Sequence, residues 1–373
     1  VIAFDLATRA DDAGIRRLLA TNAMPGRIRV RFEREPDYFA GCGEDTQVLV
    51  ARDGARVVGV ACRSIRKLYV NGVAEDVGYL GQLRVDRAYR GQLLTARGYR
   101  VMRELHADGR ASGYYTTIVD GNAQAEGVLV RRSRSVMPRY RFVEKLYPLA
   151  CGVRSAVPRS VGPRSAEARS AEARSAGILP AATLASSRQG TREEPGRQDA
   201  SGAAGRMPAL RASALRASAL CDYNLSPAYL SQGDTLTLPG ASAALHDQRA
   251  YKQTVIDGYD TLTNLVRPFY NLVARIQLPK PNTPLNHAYV THFQAEDAHA
   301  ARELIEEILR AAAMKGVDHV LLGFTESDPF LSIARTFKPI EYTSSIYTVA
   351  FDDGDDFHDR LLARPRAVDL SAL

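Results

Sequence analysis

The sequence predicts an α/β protein: a mixed twisted sheet flanked by helices, followed by a second α/β unit. Three observations carry this. Through residues 1 to 150, apolar residues recur by turns at period two and at helical spacing. Within that stretch a short arginine-glycine turn, Arg90 and Gly91, stands between an apolar strand and an amphipathic helix. After a segment without aromatic side chains, strand, helix, glycine turn and strand return in the same order between about 285 and 350. A chain of 373 residues exceeds the size at which one hydrophobic core stops growing. We therefore expect folded units at 1–150 and 221–373, separated by 151–220.

In the first unit VIAFDLATRA reads as a strand. DDAGIRRLLATN follows as a helix with Ile15, Leu18 and Leu19 on one face and aspartates in its first turn. GRIRVRFEREPDYFAG is a variable section in which Pro36 stops any long helix and Asp37, Tyr38 and Phe39 open a short one. TQVLVARDG and ARVVGVACRSIRKLYV form a hairpin about an Asp-Gly turn. EDVGYLGQLRV is the next strand, and the helix after Gly91 carries Leu93, Leu94, Arg97, Tyr99, Val101, Met102 and Leu105 at mostly helical spacings. ASGYYTTIVD is a strand, GNAQAEGVLV a short helix starting near Asn122, and RYRFVEKLYPL the closing strand.

In the second unit SAALHDQRAYKQTVIDGYDTLTNLVRPFYNLVARIQLP reads as a long helical lead-in broken at Pro268. Leu262, Leu265, Val266, Phe269, Leu272, Val273 and Ile276 are expected to pack inward. NHAYVTHFQ is a strand, AEDAHAARELIEEILRAAAMKG a helix ending at Gly316, VDHVLLGFT a strand and EYTSSIYTVAF the last clear one. His246, Asp247, Arg249, Tyr251 and Lys252 form a dense polar cluster, either an acceptor-binding edge or a solvated helix face.

The formal charge of +7 is not spread over the chain. Residues 151–220 hold eleven arginines against five acids, so the remainder is almost neutral, which argues against a nucleic-acid partner. The same segment repeats Ala, Arg and Ser and lacks large side chains, the composition of an insertion without a packed core. Cys42, Cys62, Cys151 and Cys221 are too scattered for a metal site or a disulfide framework and read as free thiols. No apolar run approaches the roughly 18 residues of a membrane span, and no secretion signal is visible. The expected location is the cytoplasm, with no membrane partner.

The chemistry centres on LRVDRAYRGQLL. A tight Arg-Gly turn opening a helix offers unpaired N–H groups in the positive field of the helix dipole, which suits a pyrophosphate. Gly91 permits close approach and Arg90 adds charge to the rim. A solvated basic turn is the competing reading of these residues taken alone.

With the preceding strand and the later DGNAQAEGVLV, this run resembles the acyl-coenzyme A site of the GNAT superfamily of N-acyltransferases. The resemblance implies a GNAT-like sheet in the first unit and acetyl-CoA as cosubstrate. It implies that Gln82, Leu83 and Val85 lie along the pantetheine. Arg90, Gly91, Gln92, Leu93, Leu94 and Thr95 would cradle the pyrophosphate, and Asn122 would sit beside the thiol end. The sequence departs from the family at Leu93 and Thr95, where small residues are usual, and at Leu129, where many members carry a tyrosine acid. The second unit looks like a divergent GNAT half whose counterpart of the cradle, FQAEDAHAA, holds acids where a phosphate would arrive.

What the resemblance implies for activity is direct transfer of an acetyl group to a small-molecule or peptide amine; no GxSxG elbow offers a nucleophile for a covalent intermediate. Such transfer needs an oriented amine, a polarised carbonyl and a base. Glu75 and Tyr79 share one strand face, with Asp76 off it, so Glu75 is the candidate base. Tyr79 is a further candidate on that face, and Tyr114 or Tyr115 could replace the missing acid. The alternative is a catalytically silent CoA-binding sensor or scaffold of the same fold.

Overall fold

The computed structural model describes residues 1–24, 28–91, 93–131, 137–153, 220–221, 233–273, 278–351, 356–362 and 366–373. Most of the 151–220 segment, together with Gln92 and Ile276, lies outside these residues, as do the side chains of Val273 and Cys221.

The chain runs β1 (Ile2–Leu6), α1 (Asp12–Thr21), β2 (Ile28–Glu33), β3 (Thr46–Asp53), β4 (Arg56–Val70), β5 (Val73–Val85), α2 (Leu94–His106), β6 (Tyr114–Val119), α3 (Ala123–Ala125) and β7 (Arg139–Gly152). It continues with β8 (Leu220–Cys221), β9 (Asp234–Leu238), β10 (Ala241–His246), β11 (Gln253–Tyr259), α4 (Thr261–Val273), β12 (Thr283–Pro284) and β13 (His287–Ala295). Last come α5 (Ala298–Met314), β14 (His319–Thr325), α6 (Leu331–Arg335), β15 (Ile340–Glu341), β16 (Ser344–Ala350), α7 (Phe357–Leu361) and β17 (Arg366–Ala367).

Among the described residues, one sheet of 14 strands passes through both halves of the chain, in the main order β1-β3-β4-β5-β6-β16-β7-β14-β13-β10-β9. The order is close to a palindrome about the β16–β7 seam. On one side β16 pairs antiparallel with β6, β6 parallel with β5, and β5 antiparallel with β4. On the other, β7 pairs antiparallel with β14, β14 parallel with β13, and β13 antiparallel with β10. The halves thus trade a strand: β16, late in sequence, lies between β6 and β7.

Local chemistry accounts for the turns. Asn71 and Gly72 both have positive φ, 50° and 88°, the two-residue hairpin geometry that matches strand twist and joins β4 to β5. Asp37 caps the short helical turn at Tyr38 by accepting from the Phe39 N–H, as the sequence predicts. The helices lie on apolar stripes: Ile15, Leu18 and Leu19 of α1 pack on Val48, Val50 and Val60, while Tyr99 and Met102 of α2 pack on Leu49, Leu80 and Ile118.

Two expectations are corrected. The variable section contains β2, which with β11 and β12 forms a separate sheet of three strands. The stretch read as one long helix forms β10 and β11 before α4 begins at Thr261. Its apolar positions Leu262, Leu265, Val266, Phe269 and Leu272 are exposed rather than inward, because the described residues put no layer over that face of α4.

Candidate functional site

Strands β5 and β6 pair in parallel for only two steps, Gly78 with Tyr114 and Tyr79 with Tyr115. Beyond them the strands part. At the fork, Thr116 Oγ1 still donates to Leu80 O (2.6 Å), and Gln82 adopts φ 55° in a bulge that shifts the β4–β5 register. The bulge turns Gln82 towards α1, where its Oε1 accepts from Tyr38 Oη (3.1 Å). A cavity of about 740 Å³ fills the opening, bounded by both strands, by α2 through Leu94, Thr95 and Gly98, and on its far side by β2 and β11.

Of the cofactor residues named in sequence, Gln82, Leu83, Val85, Leu94, Thr95 and Asn122 line this cavity. Arg90, Gly91 and Leu93 do not line it, and Gln92 lies outside the described residues. The Asn122 side chain also caps α3, accepting from Ala125 N–H (3.2 Å). Gly91 has φ 85° with open space where a Cβ would point, and Leu93 sits in the left-handed region at φ 57°, 61% exposed. Leu93 at the N-cap of α2 provides no side-chain cap, so among the described residues the first-turn N–H groups of α2 have no capping side chain. Arg90 folds along the rim, donating to Val85 O, Gln124 Oε1 and Asn22 Oδ1 at 3.1–3.2 Å.

The three candidate catalytic residues lie differently. Tyr79 lines the cavity, its hydroxyl 3.1 Å from Thr117 Oγ1. Tyr115 is buried behind it, rings 5.1 Å apart, and accepts from Arg66 (3.0 Å). Glu75 is ion-paired to Arg360, and Asp76 to Lys67; neither lines the cavity. Tyr114 is held by Arg63 Nε (2.9 Å).

Other groups on the wall, Lys252 excepted, were not singled out in sequence as site residues. Tyr140 lines the cavity beside Leu129, and its hydroxyl bonds that of Tyr99; burial pushes both phenols up, Tyr99 to about 12. Arg34 and Lys252, next to the ends of β2 and β11, line it on the far side, Tyr289 lines it from β13, and Arg84 lines it from β5. Lys252, one member of the polar cluster read in sequence, is buried and donates to the main-chain oxygens of Ser371 (3.1 Å) and Leu373 (2.8 Å). Burial, helped by the nearby Arg34 charge, lowers it to about 7. Burial also holds Arg84 below its ordinary value. Among the described residues no cluster of His, Cys, Asp or Glu is arranged to hold a metal ion, and no helix is long and apolar enough to cross a membrane.

The second half repeats the fork. β13 and β14 pair in parallel from His287 with His319 to Tyr289 with Leu321 and then diverge, and His292 takes φ 55° three residues after Tyr289, as Gln82 does after Tyr79. This fork is filled. Phe293 packs between Phe324 and Phe330, and Asp297 caps α5 by accepting from Ala300 N–H (2.8 Å).

No family model and no curated protein matches the sequence. Among solved structures, the chain is similar to N-myristoyltransferase from Saccharomyces cerevisiae with bound myristoyl-CoA. One such structure gives 11% identity and a TM-score of 0.53 over 98% of this chain and 84% of that one. Another gives 10% identity and a TM-score of 0.50 over 93% and 82%. A GCN5-related N-acetyltransferase from Kribbella flavida aligns at 13% identity and a TM-score of 0.41, over 93% and 70%. The likeness to the N-myristoyltransferase shows the fold alone, a large mixed sheet with a splayed parallel strand pair and a bulge at the fork, of the kind that the GNAT resemblance read in sequence implies.

Proposed function

We propose that the protein is an acyl-CoA-dependent N-acyltransferase, most simply an N-acetyltransferase using acetyl-CoA. The observation that carries the reading is the open fork between β5 and β6 beside the uncapped start of α2. Unpaired N–H groups at a helix start favour a pyrophosphate, and parted strands leave edge groups for the amides of the pantetheine arm. The N-myristoyltransferase of the same fold has an acyl-CoA bound, which supports the same use here.

In this reading Arg90, Gly91, Gln92, Leu93, Leu94 and Thr95 hold the pyrophosphate, and Gln82, Leu83, Val85 and Asn122 flank the arm. The amine nitrogen attacks the thioester carbonyl carbon, the C–S bond breaks, the amine gives up a proton and the thiolate takes one. Tyr79, on the cavity wall, is our candidate for returning that proton, with Tyr115 packed behind it. Glu75 takes part only if it leaves Arg360. The palindromic strand order supports a tandem origin, with the second, plugged half divergent and a single cofactor site in the first.

Calorimetric titration with acetyl-CoA tests this, with Gly91→Glu as control. The substitution adds a carboxylate to the cradle; open space surrounds the Cβ position but φ 85° strains any side chain there, so thermal melting accompanies the titration to show that the variant folds. Micromolar binding abolished by the variant supports the reading. No binding to the unaltered protein overturns it. Binding without transfer to any amine would favour the sensor or scaffold alternative, for which the exposed Leu93 in the cradle speaks.

A further inference from the structure

The β2–β11 ladder ends with Gln253 opposite Glu33. Continuing that antiparallel register by one step puts Lys252 opposite Arg34, and cross-strand partners project to the same face. Both are buried, 4% exposed for Arg34 and 7% for Lys252, and both line the cavity. Like charges facing each other in a ladder are destabilising, and burial makes them more so.

The partners of these cations do not offset this. Arg34 donates to the carbonyl of its neighbour Glu33 (3.2 Å), and Arg84, on the opposite wall, to the carbonyl of its neighbour Leu83 (2.9 Å). No Asp or Glu side chain among the described residues pairs with either guanidinium. Of the acids nearby, Glu33 is engaged with Arg31 and Glu35 with Arg16, while Asp369, bonded to Ser371, attracts Lys252. Arg34 lies close enough to repel both Arg84 and Lys252.

We infer, on the reading proposed above, that the amine acceptor carries an oxyanion group which docks between Arg34 and Arg84, with Lys252 beside it. A planar guanidinium presents paired N–H donors to two oxygens of one carboxylate or phosphate. The site lies on the face of β5 turned towards α1, because Gln82 and Arg84 alternate with Leu83 and Val85, which pack on the α2 side. Cofactor and acceptor therefore meet at the fork from opposite faces of the sheet.

The test uses the full chain and amines in matched pairs: phenylalanine against phenylalaninamide for a carboxylate, and phosphoethanolamine against ethanolamine for a phosphate. Binding is read by calorimetry and thermal shift, with and without CoA. One oxyanion-bearing member is expected to bind at least tenfold more tightly than its neutral partner. Arg34→Gln and Arg84→Gln should each erase that preference and leave CoA affinity unchanged. Arg84, only half-buried, decides the matter if the Arg34 variant does not fold. Absence of preference in both pairs overturns the inference, as does an equal loss of CoA affinity in the variants, which would assign the cations to the cofactor's phosphates. Preference retained in a protein that binds no CoA would sink the transferase reading alone.

Discussion

Phe293 and Phe324 meet edge to face across the gap between β13 and β14, their ring centroids 5.3 Å apart. The corresponding gap between β5 and β6 holds the cavity. One sheet thus contains two forks of similar backbone, one filled by side chains and one holding a cavity.

Truncating the plug should cost stability and nothing else. Phe293→Ala removes a ring from the apolar cluster under α5, and such losses run to about 3 kcal/mol. Urea unfolding should show this while acetyl-CoA binding at the first fork stays unchanged. A change below about 1 kcal/mol would mean that the ring is not what fills the gap.

Leu93 is held in the left-handed region with its side chain in solvent. A glycine there relieves about 1 kcal/mol of backbone cost and gives part of it back as unfolded-chain entropy. Leu93→Gly should therefore leave stability level or slightly raised, and tighten acetyl-CoA binding several-fold by clearing the cradle. Calorimetry and thermal melting on one sample check both; weaker binding would mean that Leu93 contacts the cofactor favourably.

Arg63 is 1% exposed and meets Asp108 through two bonds of 2.7 Å, with Tyr114 and Gln47 as further acceptors. Removing the carboxylate strands a buried guanidinium, so Asp108→Ala should lose about 3 kcal/mol by denaturant titration. Asp108→Asn, which keeps an acceptor, should lose less. Equal losses would point to shape rather than charge.

Lys252 gives the fold a pH dependence of known sign. Its folded value of about 7 lies below the ordinary 10.5, so between these limits the unfolded chain binds more protons and stability rises with pH. Below pH 7 the cost of charging the buried amine is fully present. Lys252→Met should flatten the wild-type slope between pH 7 and 10, as seen in melting curves across that range. An unchanged slope would show that the amine stays charged in the fold.

The strand, turn and helix beside the first fork were legible in sequence because they are contiguous: the apolar strand ending at Val85, the turn at Gly91 and the stripe of Leu94, Tyr99 and Met102 lie within thirty residues, whereas the parting of β5 from β6 has no local signal. β2 was not, because IRVRFE alternates arginine with apolar residues and matches a solvated stretch as well as a strand. β11 was hidden by Val255 and Ile256, adjacent apolar residues that fit helix and buried strand alike. The cation pair was invisible for a different reason. Arg34 and Lys252 are neighbours only through a ladder joining strands more than 200 residues apart in sequence, and no local pattern encodes that pairing. The role read for Glu75 rested on strand alternation, which gives a face but not the Arg360 partner that comes from α7.

The traded strand also constrains how the protein is made. Until β16 emerges from the ribosome, β6 and β7 each present an unpaired edge, although every other strand of the first half has already been synthesised. Open edges of this kind are templates for pairing with foreign chains, and contacts so distant in sequence form slowly. A nascent or truncated chain lacking residues 344–350 would carry the β5–β6 fork beside an unfinished sheet, prone to association and dependent on chaperones, however complete its turn at Gly91.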